Sequence, residues 1–204
     1  MAEQTVPGLR ERNKARTRQA LLEAARELAG ERGLDRVTIE DITERAGVSR
    51  RTFFNYFAGI EALVAESTAV PLQRIAEAFL RRPPVEDPLA AMVSALRDRP
   101  LDDSLLGWQP SSLPDEEAPR GHRVHLQLWK HHEDWLVGVL RQRLGDGDPL
   151  LLRTLAATVM TLFETTEESW RSRRAGLSDH DAVALFNAEL VRALELARSG
   201  WRPS

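Results

Sequence analysis

The sequence predicts an all-α protein: a small N-terminal head of three helices followed by a larger C-terminal helical bundle. Three observations carry that expectation. Apolar residues recur at helical spacing along most of the 204 residues, glycine and proline fall between the periodic stretches, and no stretch alternates as a strand would.

The elements follow in order. Residues 1–13 read as a flexible basic arm. A first helix runs from Lys14 to Arg32, with Leu21, Ala24, Ala25 and Leu28 on one face and Gly33 placed to end it. A second opens at Thr38, where Thr38 and Asp41 form a capping box, and ends at Ala46-Gly47. A third, short helix opens at Ser49, a good N-cap residue. A longer helix spans about Gly59 to Arg81 and is stopped by Pro83-Pro84. Asp87-Pro88 starts another, to about Arg97. Residues 100–119 hold four prolines and several acids and read as irregular. Helices then run from Pro119 to Leu144, from Asp148-Pro149 to Arg174, and from Ser178 to Arg198. There is no internal repeat and no low-complexity tract.

Composition excludes several classes. Cysteine is absent, so neither a disulfide framework nor a thiolate metal site is available. No apolar run reaches the ~20 residues that span a bilayer, and the N-terminus lacks a signal-peptide pattern. The expectation is a cytoplasmic protein that meets no membrane. The net charge of −3 conceals an asymmetry: residues 1–57 hold 11 Lys and Arg against 9 Asp and Glu, the remainder 17 against 22. Arg10, Arg12, Lys14, Arg16 and Arg18 crowd the start. A basic tip on an acidic body suits a polyanion at that end, or simply a solvated tail.

Val37 to Phe57 is the informative stretch. Ile39, Ile42 and Ala46 share a face, Gly47 allows a tight turn, and Val48 sits between the helices, which is the pattern of a helix-turn-helix. At about 100° per residue, Phe53 and Phe57 fall together and face the core. Arg51 and Asn55 then point away, with Thr52 beside them and Arg50 on the first turn. Such side chains donate to phosphates and to base edges in a major groove. Tyr56 flanks this face, and Thr38 offers a hydroxyl and an N–H to a phosphate. The bland alternative is a helix pair with a solvated basic face.

Val37-Thr38-Ile39-Glu40-Asp41-Ile42, Ala46-Gly47-Val48-Ser49 and Thr52-Phe53-Phe54-Asn55-Tyr56-Phe57 closely resemble the DNA-binding domain of the TetR family of bacterial repressors. The likeness covers about residues 14–75. It implies DNA-binding roles for Thr38, Gly47, Ser49, Arg50, Arg51, Thr52, Asn55 and Tyr56. It also implies domains at 14–74 for a DNA-binding head and 75–204 for effector binding and dimerisation. The implied function is a repressor that binds a palindromic double-stranded operator as a homodimer and is released by a small molecule. One departure is Ile60, where the family usually carries a lysine after the recognition helix.

The rest specifies less. The helices from Leu150 and from Ser178 are apolar on wide faces, which suits either a dimer interface or an intramolecular core. His122, His125, Trp129, His132 and Leu136 share a face at spacings of three and four. That face could be an exposed histidine row, a metal site lacking an acid, or the wall of a ligand cavity with Trp108, Phe79 and Met92. The cavity reading names Trp108, His125, Trp129, His132 and Phe163 for a hydrophobic or aromatic effector. No cofactor, metal or catalytic residue is called for. A regulator with no inducer (an activator or an architectural protein) and a His-dependent metalloenzyme stand as alternatives.

Overall fold

The computed structural model describes residues 9–102 and 119–201, the side chains of Leu9, Asp35 and residues 119–127 aside. Within them the protein is all-helical. The helices are α1 (Leu9–Arg32), α2 (Ile39–Arg45), α3 (Arg50–Phe54), α4 (Ile60–Leu80), α5 (Pro88–Asp98), α6 (Pro119–Leu144), α7 (Pro149–Arg173) and α8 (Asp179–Arg198), with a short 3-10 turn at Leu34–Arg36.

Most starts are set by caps visible in the sequence. Thr38 and Asp41 complete a reciprocal box, and Asp87, Asp148 and Ser178 each accept a backbone N–H of the first turn. The prolines after Asp87 and Asp148 occupy first-turn positions, where no donor is missed. One departure from the sequence reading stands out. The first helix begins at Leu9, so the part of the arm from Leu9 onward is helical, and residues 1–8 lie outside the described residues. Pro71 sits inside α4 and cannot donate to the carbonyl four residues back.

The described residues divide into two compact units, 9–67 with 119–125, and 68–102 with 126–201. The division falls inside α4, a little before the expected boundary at residue 74. In the first unit, Leu21, Ala24, Ala25, Leu28 and Ala29 of α1 form a stripe buried with Ile42, Phe53, Phe57 and Leu63. Arg45 reaches from α2 to Glu27 and Glu31 of α1, and Arg18 forks onto Glu66 while lying 5.0 Å from the Phe57 ring centre. In the second unit, Phe79, Ala91, Leu140, Leu152, Trp170 and Phe186 anchor a continuous apolar cluster. Trp170 is buried with its indole N–H donated to the Ala182 carbonyl at 2.6 Å, tying α7 to α8. Arg143 caps the end of α4: its guanidinium donates to the carbonyls of Phe79, Arg82, Pro83 and Glu86 and lies over the Phe79 ring. Phe79 is buried in this cluster beneath Arg143.

Candidate nucleic-acid interface

The turn between α2 and α3 is closed by backbone alone. Gly47 has φ +65°, its N–H donates to the Glu44 carbonyl at 3.1 Å, and the Val48 N–H donates to the Thr43 carbonyl at 2.9 Å. This is a Schellman ending, and its left-handed residue is where glycine alone escapes a steric penalty. Ser49 then caps α3. Its hydroxyl oxygen accepts the Thr52 N–H at 3.1 Å and shares a hydrogen bond of 2.8 Å with the Thr52 hydroxyl.

Phe53 is 0% and Phe57 3% exposed, and that fixes what the helix shows to water. Arg50, Arg51 and Asn55 are exposed, and Thr52 and Tyr56 are half-buried beside them. The regular helix ends at Phe54, one residue before Asn55, which caps it. Phe57 still turns inward because its N–H returns to the Phe53 carbonyl at 3.0 Å.

Several cations here already have carboxylate partners, which the periodicity could not reveal. Arg50 pairs with Glu40 and lies 5.7 Å from the centre of the Phe54 ring. Arg32 and the Thr38 hydroxyl and N–H all converge on Asp41. Arg32 first, then Thr38, hold the Asp41 carboxyl well below the usual carboxylate range. The capping box of the sequence reading already engages the Thr38 N–H, and in the fold the Thr38 hydroxyl donates to Asp41 as well, so a phosphate at either donor would have to displace Asp41. Phe54 was missed as well: it is 47% exposed, a large apolar side chain on the outward face. Its spacing from Arg50 and Arg51 was the available signal. Ile60 is half-buried at the start of α4.

The candidate effector residues are only partly described. Trp108 and the His125 side chain lie outside the described residues, as does that of His122. Trp129 of α6 and Phe163 of α7 come together, ring centres 6.5 Å apart, and Phe163 continues onto Phe186 at 5.2 Å. His132, one turn along from Trp129, shares a hydrogen bond of 3.3 Å with the buried Thr68 of α4. Burial first, then the neighbouring His131, push the His132 imidazole down to about 4. Glu167 is buried on α7, where desolvation raises its carboxyl and Arg171 at 2.7 Å opposes the shift. Among the described residues, no group of three or more His, Cys, Asp or Glu is placed to hold a metal ion. Nor is any helix among them long and apolar enough to cross a membrane.

Residues 21–67 match the family model described as bacterial regulatory proteins, tetR family. The HTH-type transcriptional regulator TcmR of Streptomyces glaucescens is 43% identical over 95 residues, 45% of this chain and 40% of that protein. The uncharacterized HTH-type transcriptional regulator YvdT of Bacillus subtilis (strain 168) is 41% identical over 46 residues, 22% of this chain and 24% of that one. The chain therefore spans less than half the length of either of these relatives. Among solved structures, a transcriptional regulator from Rhodococcus sp. Rha1 aligns with a TM-score of 0.48 at 18% identity, over 92% of this chain and 99% of that one. NalD, the secondary repressor of the MexAB-OprM multidrug efflux pump in Pseudomonas aeruginosa, aligns with a TM-score of 0.47 at 20% identity, over 88% of this chain and 97% of that one. The helix-turn-helix just described and the match of residues 21–67 make this stretch similar to the DNA-binding domain of the tetR family of bacterial regulatory proteins.

Proposed function

We propose that the chain is a ligand-responsive transcriptional repressor that works in the cytoplasm and binds a palindromic DNA operator as a homodimer. The observation that carries this reading is the orientation of α3: with Phe53 and Phe57 sealed inward, Arg50, Arg51, Thr52 and Asn55 face outward as a row of donors. Arg51 and Asn55 serve base edges, and Ser49, Thr38 and Tyr56 serve phosphates. Residues 14–74 form the DNA-binding domain, and residues 75–204 bind the effector and the second copy.

One short helix reads few base pairs, so two copies about a two-fold axis are needed to read a palindrome. The wide apolar faces of α7 and α8, with Leu151 54% exposed, suit that pairing. A dimer seated over a promoter denies the same grooves to polymerase. The effector is a hydrophobic or aromatic molecule held near Trp129, His132 and Phe163. By binding better to a conformation that grips the operator poorly, it shifts the population off DNA.

The test is an anisotropy titration of the full chain against duplex DNA from upstream of its own gene. A pseudo-palindromic footprint is expected. Arg51→Ala should weaken binding by about 1–3 kcal/mol per half-site if it reads a base bidentately. Absence of binding to any such duplex, or an unaffected R51A variant, rejects the interface.

A further inference from the structure

The outward face of α3 is not wholly polar. Phe54 stands 47% exposed, although Phe53 and Phe57 beside it are sealed. Single exposed apolar residues are ordinary on protein surfaces, so exposure alone decides nothing. Position does. Phe54 lies four residues after Arg50 and three after Arg51, so it shares their face of the helix and stands among the outward donors. The ring is also held in place: Phe53 meets it edge-on at 5.5 Å, and the Arg50 guanidinium, itself anchored by Glu40, stands 5.7 Å from its centre.

In the major groove one base-edge feature is apolar and projecting, the C5-methyl of thymine. We propose that Phe54 is a specificity-determining residue that packs on a thymine methyl in each operator half-site. In the free protein the Glu40–Arg50 pair lies alongside the ring. This rests on the DNA-binding reading above. It adds a sequence preference that hydrogen-bond donors alone do not supply, because uracil offers them the same groups as thymine.

The test separates the two claims. Duplexes enriched by the full chain from a randomised pool serve as probe, and each thymine is replaced in turn by deoxyuridine. That change deletes the methyl and keeps every hydrogen-bonding group. At one position in each half-site, the wild-type chain should lose affinity about fourfold, the worth of one buried methyl. Phe54→Ala should no longer distinguish the two bases there, and Phe54→Leu should keep most of the discrimination. Arg51→Ala should weaken binding to both duplexes and leave their ratio unchanged. The ratio is taken within each variant, so a partly unfolded preparation does not alter it. A flat uracil scan on a well-bound duplex, or a ratio that persists in F54A, overturns the role of Phe54 while operator binding stands. If no duplex is enriched, both readings fall together.

Discussion

The two units place their polar chemistry on opposite sides of their cores. In the N-terminal unit, Arg50, Arg51 and Asn55 stand in water, above a core built from Leu21, Ile42, Phe53, Phe57 and other apolar groups. In the C-terminal unit, Thr68, Thr166 and Glu167 are buried, the half-buried His132 meets Thr68, and Trp129 meets Phe163. An outward site is held by what lies beneath it and can be tuned without disturbing the fold. An inward polar group must find partners, because burial of an unmet donor or charge is expensive. Thr166 donates to the Leu162 carbonyl at 2.7 Å, Glu167 has Arg171, and His132 has Thr68.

The largest effect expected from this contrast is at Phe53. Phe53→Ala should destabilise the N-terminal unit by about 3–5 kcal/mol through a cavity that α3 is too short to fill. Hydrogen exchange should show lost protection in α1 and α2 while α7 and α8 keep theirs. Equal loss in both units would break the comparison.

Next in size is the pH response of His132. Its imidazole is held below its unfolded value of about 6.5, so the unfolded chain binds the extra proton first. Stability should therefore fall as pH drops from about 6.5 towards 4, by up to about 3 kcal/mol at the lower end. Glu167 works the other way, since a raised carboxyl takes its proton in the folded state first and adds stability as pH falls. Urea denaturation of wild type and His132→Gln across that range isolates the histidine. The variant should show the flatter profile, and identical profiles would place the pH dependence elsewhere.

The smallest effect is at Glu40. Both partners of the Glu40–Arg50 pair are about three-fifths exposed, so Glu40→Gln should change stability by no more than about 0.5 kcal/mol. Operator affinity, measured by the same anisotropy titration, should rise severalfold because Arg50 no longer leaves a carboxylate behind. A fall in affinity would mean that Glu40 positions Arg50 for the groove instead of detaining it.

Much of this was legible in the sequence where the governing rule is local. The caps at Thr38, Asp87, Asp148 and Ser178, the turn at Gly47 and the inward pair Phe53 and Phe57 depend on neighbours within four residues, and they stand where the pattern places them. The start of α1 was missed because Leu9 to Asn13 offers charge but no apolar period. The partners of Arg50, Arg45 and Arg143 were missed because each reaches across ten or more residues of chain, which no spacing rule encodes. The same limit applies to the body. The histidine face of α6 was plain on a wheel, but only packing shows that His132 turns to Thr68 and that Trp129 meets Phe163.

The pairing of Arg50 with Glu40 bears on how ionic strength governs this protein. When a guanidinium neutralises a phosphate, the duplex sheds condensed cations, and that release sets the steepness of affinity against salt. If Arg50 must first leave Glu40, the abandoned carboxylate gathers a cation of its own. Part of what the duplex gives up is taken back on the protein. The dependence of operator affinity on salt should then be shallower than a count of phosphate contacts predicts, and E40Q should steepen it.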